Sequence, residues 1–330
     1  MPYRPLAALA LIGAISAIAQ TPAPLAKTAS SAKSWTPPKT ADGHPDLQGI
    51  WTNSTITPLE RPRALGDKAF FTEQEAAERY KTILADVSTD RRDGPAEVDV
   101  NRSYNELWRE RGHLLLRTSL IVDPPDGRLP PLTPDGQKRE KARAEDRRRR
   151  GPDPADSWTD RNLAERCITR GAPKLPGGYN NNFQIYQTRN SVLIMQEMIH
   201  EARVIRMDGP HIDPKIRLWM GDSIGHWEGD TLVVDTTNYN DKIVSNSFNC
   251  CPGAGSGLHV VERFRRISAD QIDYRYTVED PNTYIRPWTA EVPMTRIDGP
   301  IFEYACHEGN YALQDILAGA RAKEAEAGRK

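Results

Sequence analysis

Charge of one sign and long apolar segments are two features that this chain of 330 residues lacks. Lys and Arg number 44 against 45 Asp and Glu, so the formal net charge is −1. A chain with this balance has no general electrostatic attraction for nucleic acid or anionic lipid. Beyond residue 20, no apolar segment approaches the roughly 20 residues that a membrane-spanning helix needs. We therefore expect neither nucleic acid binding nor stable membrane insertion.

Two common metal-binding signatures are also missing. The four cysteines contain no Cys-x-x-Cys pair, which is the spacing of many structural zinc sites. The sequence has no His-Glu-x-x-His segment, which would place two histidines on one face of a helix. A metal site would therefore have to be assembled from distant residues. The sequence is compatible with no cofactor or with a divalent metal.

The N-terminus has the features of a secretory signal. Arg4 gives a positive start, Leu6 to Ile18 form a short apolar segment, and Ala17-Ile18-Ala19 is a small-x-small cleavage site. We predict a signal peptide at residues 1–19 and a flexible leader, rich in Ala, Pro, Ser and Thr, at residues 20–40. The expected location is the periplasm or the extracellular medium.

If the protein is exported, its cysteines are expected to form disulfides, because an oxidising compartment favours disulfides over free thiols. Cys167 and Cys306 are the natural pair, since their bridge would join the segment before the β-rich region to the end of that region. The chain-entropy model gives about 4 to 5 kcal/mol for so long a loop, less any strain. Cys250 and Cys251 are adjacent in a turn-rich loop, and they either bridge each other or pair elsewhere.

We predict that residues 41–170 form an N-terminal segment with one strand pair and two helices, which pack on a β-rich region. Asp46 to Thr57 is rich in β-forming residues, and Leu114 to Val122 reads as a second strand before a proline-rich stop. Thr72 and Glu75 have capping-box spacing ahead of apolar residues that recur at helical intervals. The first helix is therefore expected to begin at Thr72.

A run of charge at Lys138 to Arg150 follows Pro134, which can open a helix. One interpretation is a patch that binds polyanions. The other is a solvated helix whose acids and bases support each other at i,i+4 spacing. The balanced net charge favours the solvated helix.

Residues 171–310 contain short β-type runs separated only by turn-sized gaps, which is typical of an antiparallel meander. Closure of such a meander removes its exposed edges. We predict a mainly β fold built on an antiparallel up-and-down, lipocalin-like barrel, with a C-terminal helix at Ala312 to Ala327 within residues 311–330. The predicted strands are Phe183–Gln187, Val192–Gln196, His200–Met207, Ile216–Met220, Thr231–Thr237, Leu258–Ile267, Ile272–Glu279, Pro287–Arg296 and Ile301–Cys306.

Charged and imidazole side chains interrupt these strands. Glu262 shares one strand face with Leu258, Val260 and Phe264, because alternate side chains point the same way. A carboxylate on an apolar face is a candidate acid or base if it is alone, and a salt-bridge partner if Arg203 meets it. We predict a site in the barrel lumen with four catalytic candidates, namely Glu262, His307, His200 and Arg203.

The histidines also permit a metal hypothesis. His200, His259 and His307 with one carboxylate would satisfy zinc chemistry. Each His-Glu dipeptide offers at most one ligand from a strand, since adjacent side chains point to opposite faces. Scattered histidines are more often hydrogen-bonded core or surface groups, and that interpretation stays open.

Gly221-Asp222-Ser223-Ile224-Gly225 matches the Gly-x-Ser-x-Gly pattern of serine hydrolases. That motif needs a strand before it and a helix after it, which expose the nucleophile. The next residues lead into the predicted strand at Thr231 instead. We favour a hairpin connection over a nucleophilic Ser223.

Aromatic residues are spread through the same region. They either pack the barrel core or form a stacking wall for a sugar or an aromatic ring. Under the second interpretation, the expected ligand-binding residues are Trp227, Tyr276, Trp288, Glu303 and Tyr304.

Four segments resemble a large group of exported, largely uncharacterised proteins of environmental bacteria. They are Asp46–Trp51 (DLQGIW), Trp227–Val234 (WEGDTLVV), His259–Phe264 (HVVERF) and Glu303–Asn310 (EYACHEGN). The resemblance covers nearly all of the chain after the predicted leader and implies export but no reaction. The Cys250-Cys251 loop departs from the shorter connection usual in that group. The lipocalin-like barrel is an analogy of fold only.

Two hypotheses of function follow. The first is an exported enzyme that uses lumen carboxylate and histidine groups for acid–base chemistry on a small sugar-like or aromatic substrate, as a lyase, isomerase or hydrolase. Glu262 or His307 would be the base, His200 the acid or anchor, and Arg203 the stabiliser of negative charge. The second is a non-catalytic barrel that binds a small ligand through the same groups. The number and diversity of polar groups favour the enzyme.

Overall fold

The computed structural model describes most of the chain that follows the predicted signal peptide. The described residues are 35–90, 95, 106–151, 154–242 and 250–328. The predicted signal peptide and the first part of the predicted leader lie outside them.

The fold is mainly β, as the strand pattern predicts. The described strands are β1 (Gly49–Thr52), β2 (Ile121–Asp123), β3 (Asn182–Gln187), β4 (Ser191–Gln196), β5 (Glu201–Met207), β6 (Asp222–Glu228), β7 (Thr231–Thr237), β8 (His259–Arg266), β9 (Gln271–Glu279), β10 (Trp288–Glu291) and β11 (Met294–Ile297).

Nine of these strands close into a barrel. They run in the order β11, β1, β3, β4, β5, β6, β7, β8 and β9, and β9 then pairs with β11 to complete the ring. β10 and β2 extend the sheet from β9. The predicted barrel is therefore present, with β1 from the N-terminal segment inserted between β11 and β3.

One pairing departs from the antiparallel pattern. β5 and β6 run parallel and meet at two residue pairs, Arg206 with Ile224 and Met207 with Gly225. A parallel neighbour needs a crossover of about a dozen residues or more, and residues 208–221 provide it. The barrel is mixed for this reason. The predicted strand Ile216–Met220 is part of the crossover loop and pairs in β fashion through the isolated Leu218–Tyr239 bridge.

Three other predicted strands were wrong in extent. Of the predicted strand Leu114–Val122, only Ile121 and Val122 lie in a described strand, namely β2. The predicted strand Ile301–Cys306 is a loop. Pro287–Arg296 divides into β10 and β11, because Pro293 has no N–H with which to continue the ladder. In the loop, the backbone N–H of Phe302 donates to the Glu197 carboxylate at 3.1 Å instead of to a strand.

The three described α-helices agree closely with the sequence pattern. They are α1 (Glu73–Val87), α2 (Pro134–Arg150) and α3 (Ala312–Ala327). Thr72 and Glu75 form the predicted capping box. In α2, Asp146 pairs with Arg149 and Arg150 at helical spacing, as expected of a solvated charged helix. Among the described residues, none of the helices combines the length and apolarity that a membrane span requires.

Both disulfides are intramolecular. Cys167 and Cys306 are joined, with Cα atoms 5.8 Å apart, which confirms the predicted pair. Cys250 and Cys251 bridge each other, so the first of the two alternatives holds.

Candidate functional site

The inward face of β8 carries the predicted carboxylate. Val260, Glu262 and Phe264 are all buried, as strand alternation requires. Both Glu262 oxygens accept hydrogen bonds from Arg203, with 3.0 Å between Arg203 Nη2 and Glu262 Oε1. The Tyr274 hydroxyl donates to the same Oε1 at 2.7 Å. Glu262 is thus held in an ion pair inside the barrel, with both of its carboxylate oxygens hydrogen bonded.

The lumen around this pair is nearly filled. The cavity lined by Arg203, Glu262 and Tyr274 has a volume of about 20 Å³. That space suits about one water, whereas pockets for small molecules have roughly 300–1,000 Å³. A sugar-sized molecule therefore has to bind outside the lumen.

Lys174 lies where the lumen meets the protein surface. It lines the small lumen cavity and also a second cleft outside it. Its backbone carbonyl accepts from Asn53 Nδ2 at 3.0 Å, and its Nζ donates to Asn181 Oδ1 at 3.1 Å. Its Nζ also lies 5.5 Å from the centre of the Phe183 ring. The ammonium is buried with few polar partners.

This burial changes the chemistry of the lysine. Removal from water disfavours the charged form and lowers the pKa of Lys174 from 10.5 to about 7. The negative charges of Glu110 and Glu197 oppose the shift, and the positive charge of Arg170 adds to it. Lys174 therefore loses its proton far more readily than an ordinary lysine, and its neutral form carries a free lone pair.

The second cleft, which we call the cationic cleft, has a volume of about 270 Å³. Its wall is formed by Arg109, Arg170 and Lys174 together with the 175–179 loop and Met198. Among these described lining residues none carries a carboxylate. Asn181 fixes the loop, since its side chain accepts from Gly177 N at 2.7 Å and donates to Gly177 O at 2.9 Å.

A larger cleft, which we call the outer cleft, adjoins the cationic cleft and shares Arg170 and Tyr179 with it. Its volume is about 620 Å³. Carboxylates, amides and phenols line much of it, and the Cys167–Cys306 disulfide fixes one wall. The polar lining residues are Asn162, Glu165, Asn180, Glu303, Tyr304, Glu308 and Asn310.

Glu201 is a second titratable group with a strongly shifted pKa. Its carboxylate accepts from Thr169 Oγ1 at 2.6 Å and from the backbone N–H of Arg170. Burial raises the pKa of Glu201 from 4.5 to about 7, against the opposing effect of these hydrogen bonds. Glu201 therefore supports the backbone of an arginine that belongs to both clefts.

Backbone strain is concentrated in the same part of the molecule. Six described non-glycine residues have positive φ, and Cys167, Asn180, Ile199 and His200 among them lie at or beside the two clefts. Ile199 has φ of 64°, which is a genuine outlier for a β-branched side chain. Such conformations cost about 1–3 kcal/mol each and cluster at functional sites.

Part of the predicted site is present here. Glu303 and Tyr304 line the outer cleft, and His200 Nδ1 lies 2.8 Å from the carbonyl oxygen of Tyr304. His307 is exposed beside this wall. Arg203 and Glu262 lie on the lumen side of Lys174.

The predicted aromatic wall is not a single surface. Tyr276 and Trp288 are fully buried and pack edge to face at 5.9 Å between ring centroids. Trp227, near the end of β6, stacks on His44 with 5.0 Å between the ring centroids. Of the five predicted ligand-binding residues, only Glu303 and Tyr304 line a described cleft.

The three histidines of the metal hypothesis are not brought together. His259 is hydrogen bonded to Asp235 at 2.8 Å and Glu279 at 3.0 Å on the outer face of the barrel. His200 and His307 belong to the outer-cleft region. Within the described parts of the chain, no group of three or more His, Cys, Asp or Glu side chains is arranged to hold a metal ion.

The Gly-x-Ser-x-Gly segment is not the hairpin connection favoured from its sequence, because Asp222 to Gly225 begin strand β6 and the turn to β7 lies at Gly229-Asp230. Ser223 is buried in β6, and its hydroxyl lies 3.0 Å from that of Thr236 on β7. No helix follows it, since β6 turns directly into β7. This serine is structural.

Sequence reasoning did not identify Lys174, Arg170 or Arg109. Lys174 lies in Ala172-Pro173-Lys174-Leu175-Pro176-Gly177-Gly178, which reads as an ordinary loop. A loop that carries a lysine between two prolines and ends in two glycines was the available indication. Its burial arises from packing across the barrel end, which no local pattern encodes.

Comparison with protein-family models, with curated proteins and with solved structures finds no match for this chain. A conclusion about function therefore depends on the chemistry of the site itself.

Proposed function

We propose that this protein is an enzyme that transfers protons on a small polar substrate bound in the cationic and outer clefts. The observation that carries the proposal is the buried Lys174, which lines the cationic cleft and has a pKa of about 7. A base acts best when its pKa is close to the working pH. Lysines reach that value by burial or by nearby cations, and both apply here.

The chemistry follows from the neighbours of Lys174. Its neutral form accepts a proton from the substrate, and negative charge develops on the atom that loses it. Arg109 and Arg170 face the same cleft and stabilise that charge. The reaction class is acid–base chemistry of the lyase, isomerase or hydrolase type.

The residues predicted from sequence have secondary roles in this proposal. The Arg203–Glu262 pair fills most of the lumen behind Lys174 and leaves room there for about one water. Glu303 and Tyr304 line the outer cleft and contact the substrate, and His200 holds the backbone carbonyl of Tyr304. No metal is required for the proposed step.

We place this activity outside the cytoplasm, in the periplasm or the extracellular medium. The predicted signal peptide and the two disulfides support that location. The resemblance to exported bacterial proteins points the same way.

The test is hydrogen exchange from solvent. The protein is incubated in D₂O with aldoses, sugar acids and phenolic acids, and loss of carbon-bound hydrogen is followed by ¹H NMR. We expect exchange with at least one compound in the wild type and at least a hundredfold slower exchange in Lys174→Met. Lys323→Met, which removes an exposed lysine on α3, is the matched control and should be unaffected.

Two results would contradict the proposal. Exchange by Lys174→Met at the rate of the wild type would remove the lysine from the reaction. No exchange with any compound between pH 5 and pH 9, together with tight binding of one of them, would establish the non-catalytic binding protein instead.

A further inference from the structure

The charges that surround the cationic cleft are unequal. Arg109, Arg170 and Lys174 line it and none of its described lining residues carries a carboxylate, whereas Glu110 and Glu197 act on Lys174 from outside that lining. Glu110 accepts from the backbone N–H groups of Asn180 and Asn181 at 3.0 and 2.9 Å. Glu197 accepts from Phe302 N at 3.1 Å and from Asn182 Nδ2 at 2.7 Å. The described lining of the cleft is therefore basic, while these two carboxylates keep their charge and are held by backbone and amide N–H donors.

The loop at Gly177-Gly178 is shaped to admit one of these cations. A Cβ on Gly178 would lie 2.9 Å from Arg109 Nη1, which is too close, so the glycine leaves space for the guanidinium. A Cβ on Gly177 would make ordinary contacts, 3.7 Å from Asn181 Oδ1 and 3.9 Å from Tyr179 O. Arg109 Cζ also lies 5.9 Å from the centre of the Tyr179 ring, which helps to orient it.

The outer cleft has a different chemical character. Amides, carboxylates and phenols offer both donors and acceptors, which suits hydroxyl groups more than a second anion. Because Arg170 and Tyr179 belong to both clefts, one molecule can occupy them together. The cationic cleft is large enough for a carboxylate with its bound water, and the outer cleft for a sugar-sized remainder.

We infer that the substrate is a hydroxylated carboxylic acid of the sugar-acid class, with its carboxylate between Arg109 and Arg170 and its hydroxyl groups in the outer cleft. This inference rests on the proposed function for the assignment of the two clefts as one site. Planar guanidinium groups match a carboxylate through paired N–H donors, which makes arginine the favoured partner.

The same arrangement defines the proton that Lys174 removes. The C–H bond next to the carboxylate breaks, an N–H bond forms at Lys174 Nζ, and the electron pair spreads onto the carboxylate oxygens. Arg109 and Arg170 stabilise the doubly charged intermediate. Where the next carbon carries an oxygen substituent, the pair then forms a C=C bond, the C–O bond breaks, and the leaving oxygen takes a proton from water.

Binding tests the inference separately from turnover. Glucuronate, galacturonate and gluconate are titrated calorimetrically beside glucose, galactose and glucitol, with inorganic phosphate as a third arm. We expect at least one acid to bind tenfold or more tightly than its neutral counterpart, and more tightly than phosphate. Equal binding of every acid and its neutral counterpart would overturn the inference, and tighter binding of phosphate would overturn the carboxylate assignment.

Two glycine variants locate the anion. Gly178→Ala should displace the Arg109 guanidinium and weaken binding of the acid at least fivefold, with no change for the neutral sugar. Gly255→Ala adds the same methyl group into open space outside both clefts and should bind the acid as the wild type does. Equal effects of the two variants would contradict the role of Arg109, and thermal unfolding verifies that both are folded.

The two proposals fail in different ways. Acid binding without deuterium exchange would retain the ligand class and remove the enzyme. Exchange on neutral sugars only, without selective acid binding, would retain the enzyme and remove the ligand class.

Discussion

Arg203 and Lys174 are buried cations that line the same small lumen cavity, yet their pKa values shift in opposite directions. Burial lowers the pKa of Arg203, but the charge and hydrogen bonds of Glu262 outweigh burial and raise it above its ordinary value. Lys174 meets an amide oxygen instead of a carboxylate, and its pKa falls to about 7. Within one enclosure, the partner decides whether a buried cation is a structural element or a base.

The largest expected effect is loss of the lumen pair. Glu262→Gln leaves the Arg203 guanidinium buried without its counter-charge, so the free energy of unfolding should fall by about 3–5 kcal/mol. The double variant Arg203→Met/Glu262→Gln should recover most of that loss. Urea unfolding measures all three proteins, and a loss below about 1 kcal/mol in the single variant would show that the pair is not a structural element.

Lys174 should respond in the opposite way. The folded-state pKa lies below the ordinary value of 10.5, so burial of the proton costs stability at neutral pH. Lys174→Met should therefore raise the free energy of unfolding by roughly 2–4 kcal/mol at pH 7. Chemical unfolding of variant and wild type measures this, and destabilisation by the substitution would contradict the described environment.

The pH dependence of that difference has a definite sign. Between pH 7 and pH 10.5 the unfolded chain holds the Lys174 proton and the folded protein does not. Stability of the wild type should thus rise with pH across this window relative to Lys174→Met, and the advantage of the variant should shrink. A constant difference from pH 6 to pH 10 would show that the pKa is not depressed.

A carboxylate placed next to Lys174 should raise the pKa of the lysine, as Glu262 raises that of Arg203. Asn181→Asp has nearly the same shape and places a negative charge against the ammonium, at the 3.1 Å contact of the native amide. An opposite charge at this distance raises a lysine pKa by about 1–3 units. The pH profile of deuterium exchange should move to higher pH by that amount. An unchanged profile would exclude Lys174 as the titrating base.

The smallest effect is expected where water screens the charges. His211 and His259 both contact Asp235 at 2.8 Å on the outside of the barrel, and Glu279 lies 3.0 Å from His259. Burial lowers the pKa of His259, but the hydrogen bonds to Asp235 and Glu279 outweigh burial and raise it above 6.5.

The stability from this contact should be present below pH 6.5 and lost as pH rises through the raised value. His259→Gln should cost less than about 1 kcal/mol at pH 6, because the groups are partly exposed. Thermal unfolding at pH 6 and pH 8 measures it, and a larger loss at pH 8 than at pH 6 would reverse the assigned sign.

Sequence patterns were sufficient for the local features of the fold. Alternation along β8 correctly placed Val260, Glu262 and Phe264 on one face, and the structure shows that this face is the buried one. The capping box at Thr72 and the C-terminal helix at Ala312–Ala327 depend on residues close together in the chain. The Cys167–Cys306 pair was predictable from the expected export and from the position of both cysteines outside the turn-rich Cys250-Cys251 loop.

The long-range features were beyond those patterns. The parallel contact of β5 with β6 depends on the path of the 208–221 crossover. The apolar residues in that crossover have the pattern of a strand, so the sequence predicted a strand there. The base at Lys174 depends on a loop that folds across the barrel end and is held by Asn53 and Asn181. Contacts between residues so far apart in the chain produce no periodic pattern that a reading of the sequence could detect.

The most direct test of the account is the pKa of Lys174 itself. The protein is labelled with ¹³Cε lysine, the Lys174 resonance is assigned by its absence in Lys174→Met, and its chemical shift is followed with pH. A midpoint near pH 7 is the predicted result. A midpoint near 10.5 would mean that the lysine is solvated or paired, and it would remove the base on which the proposed function depends.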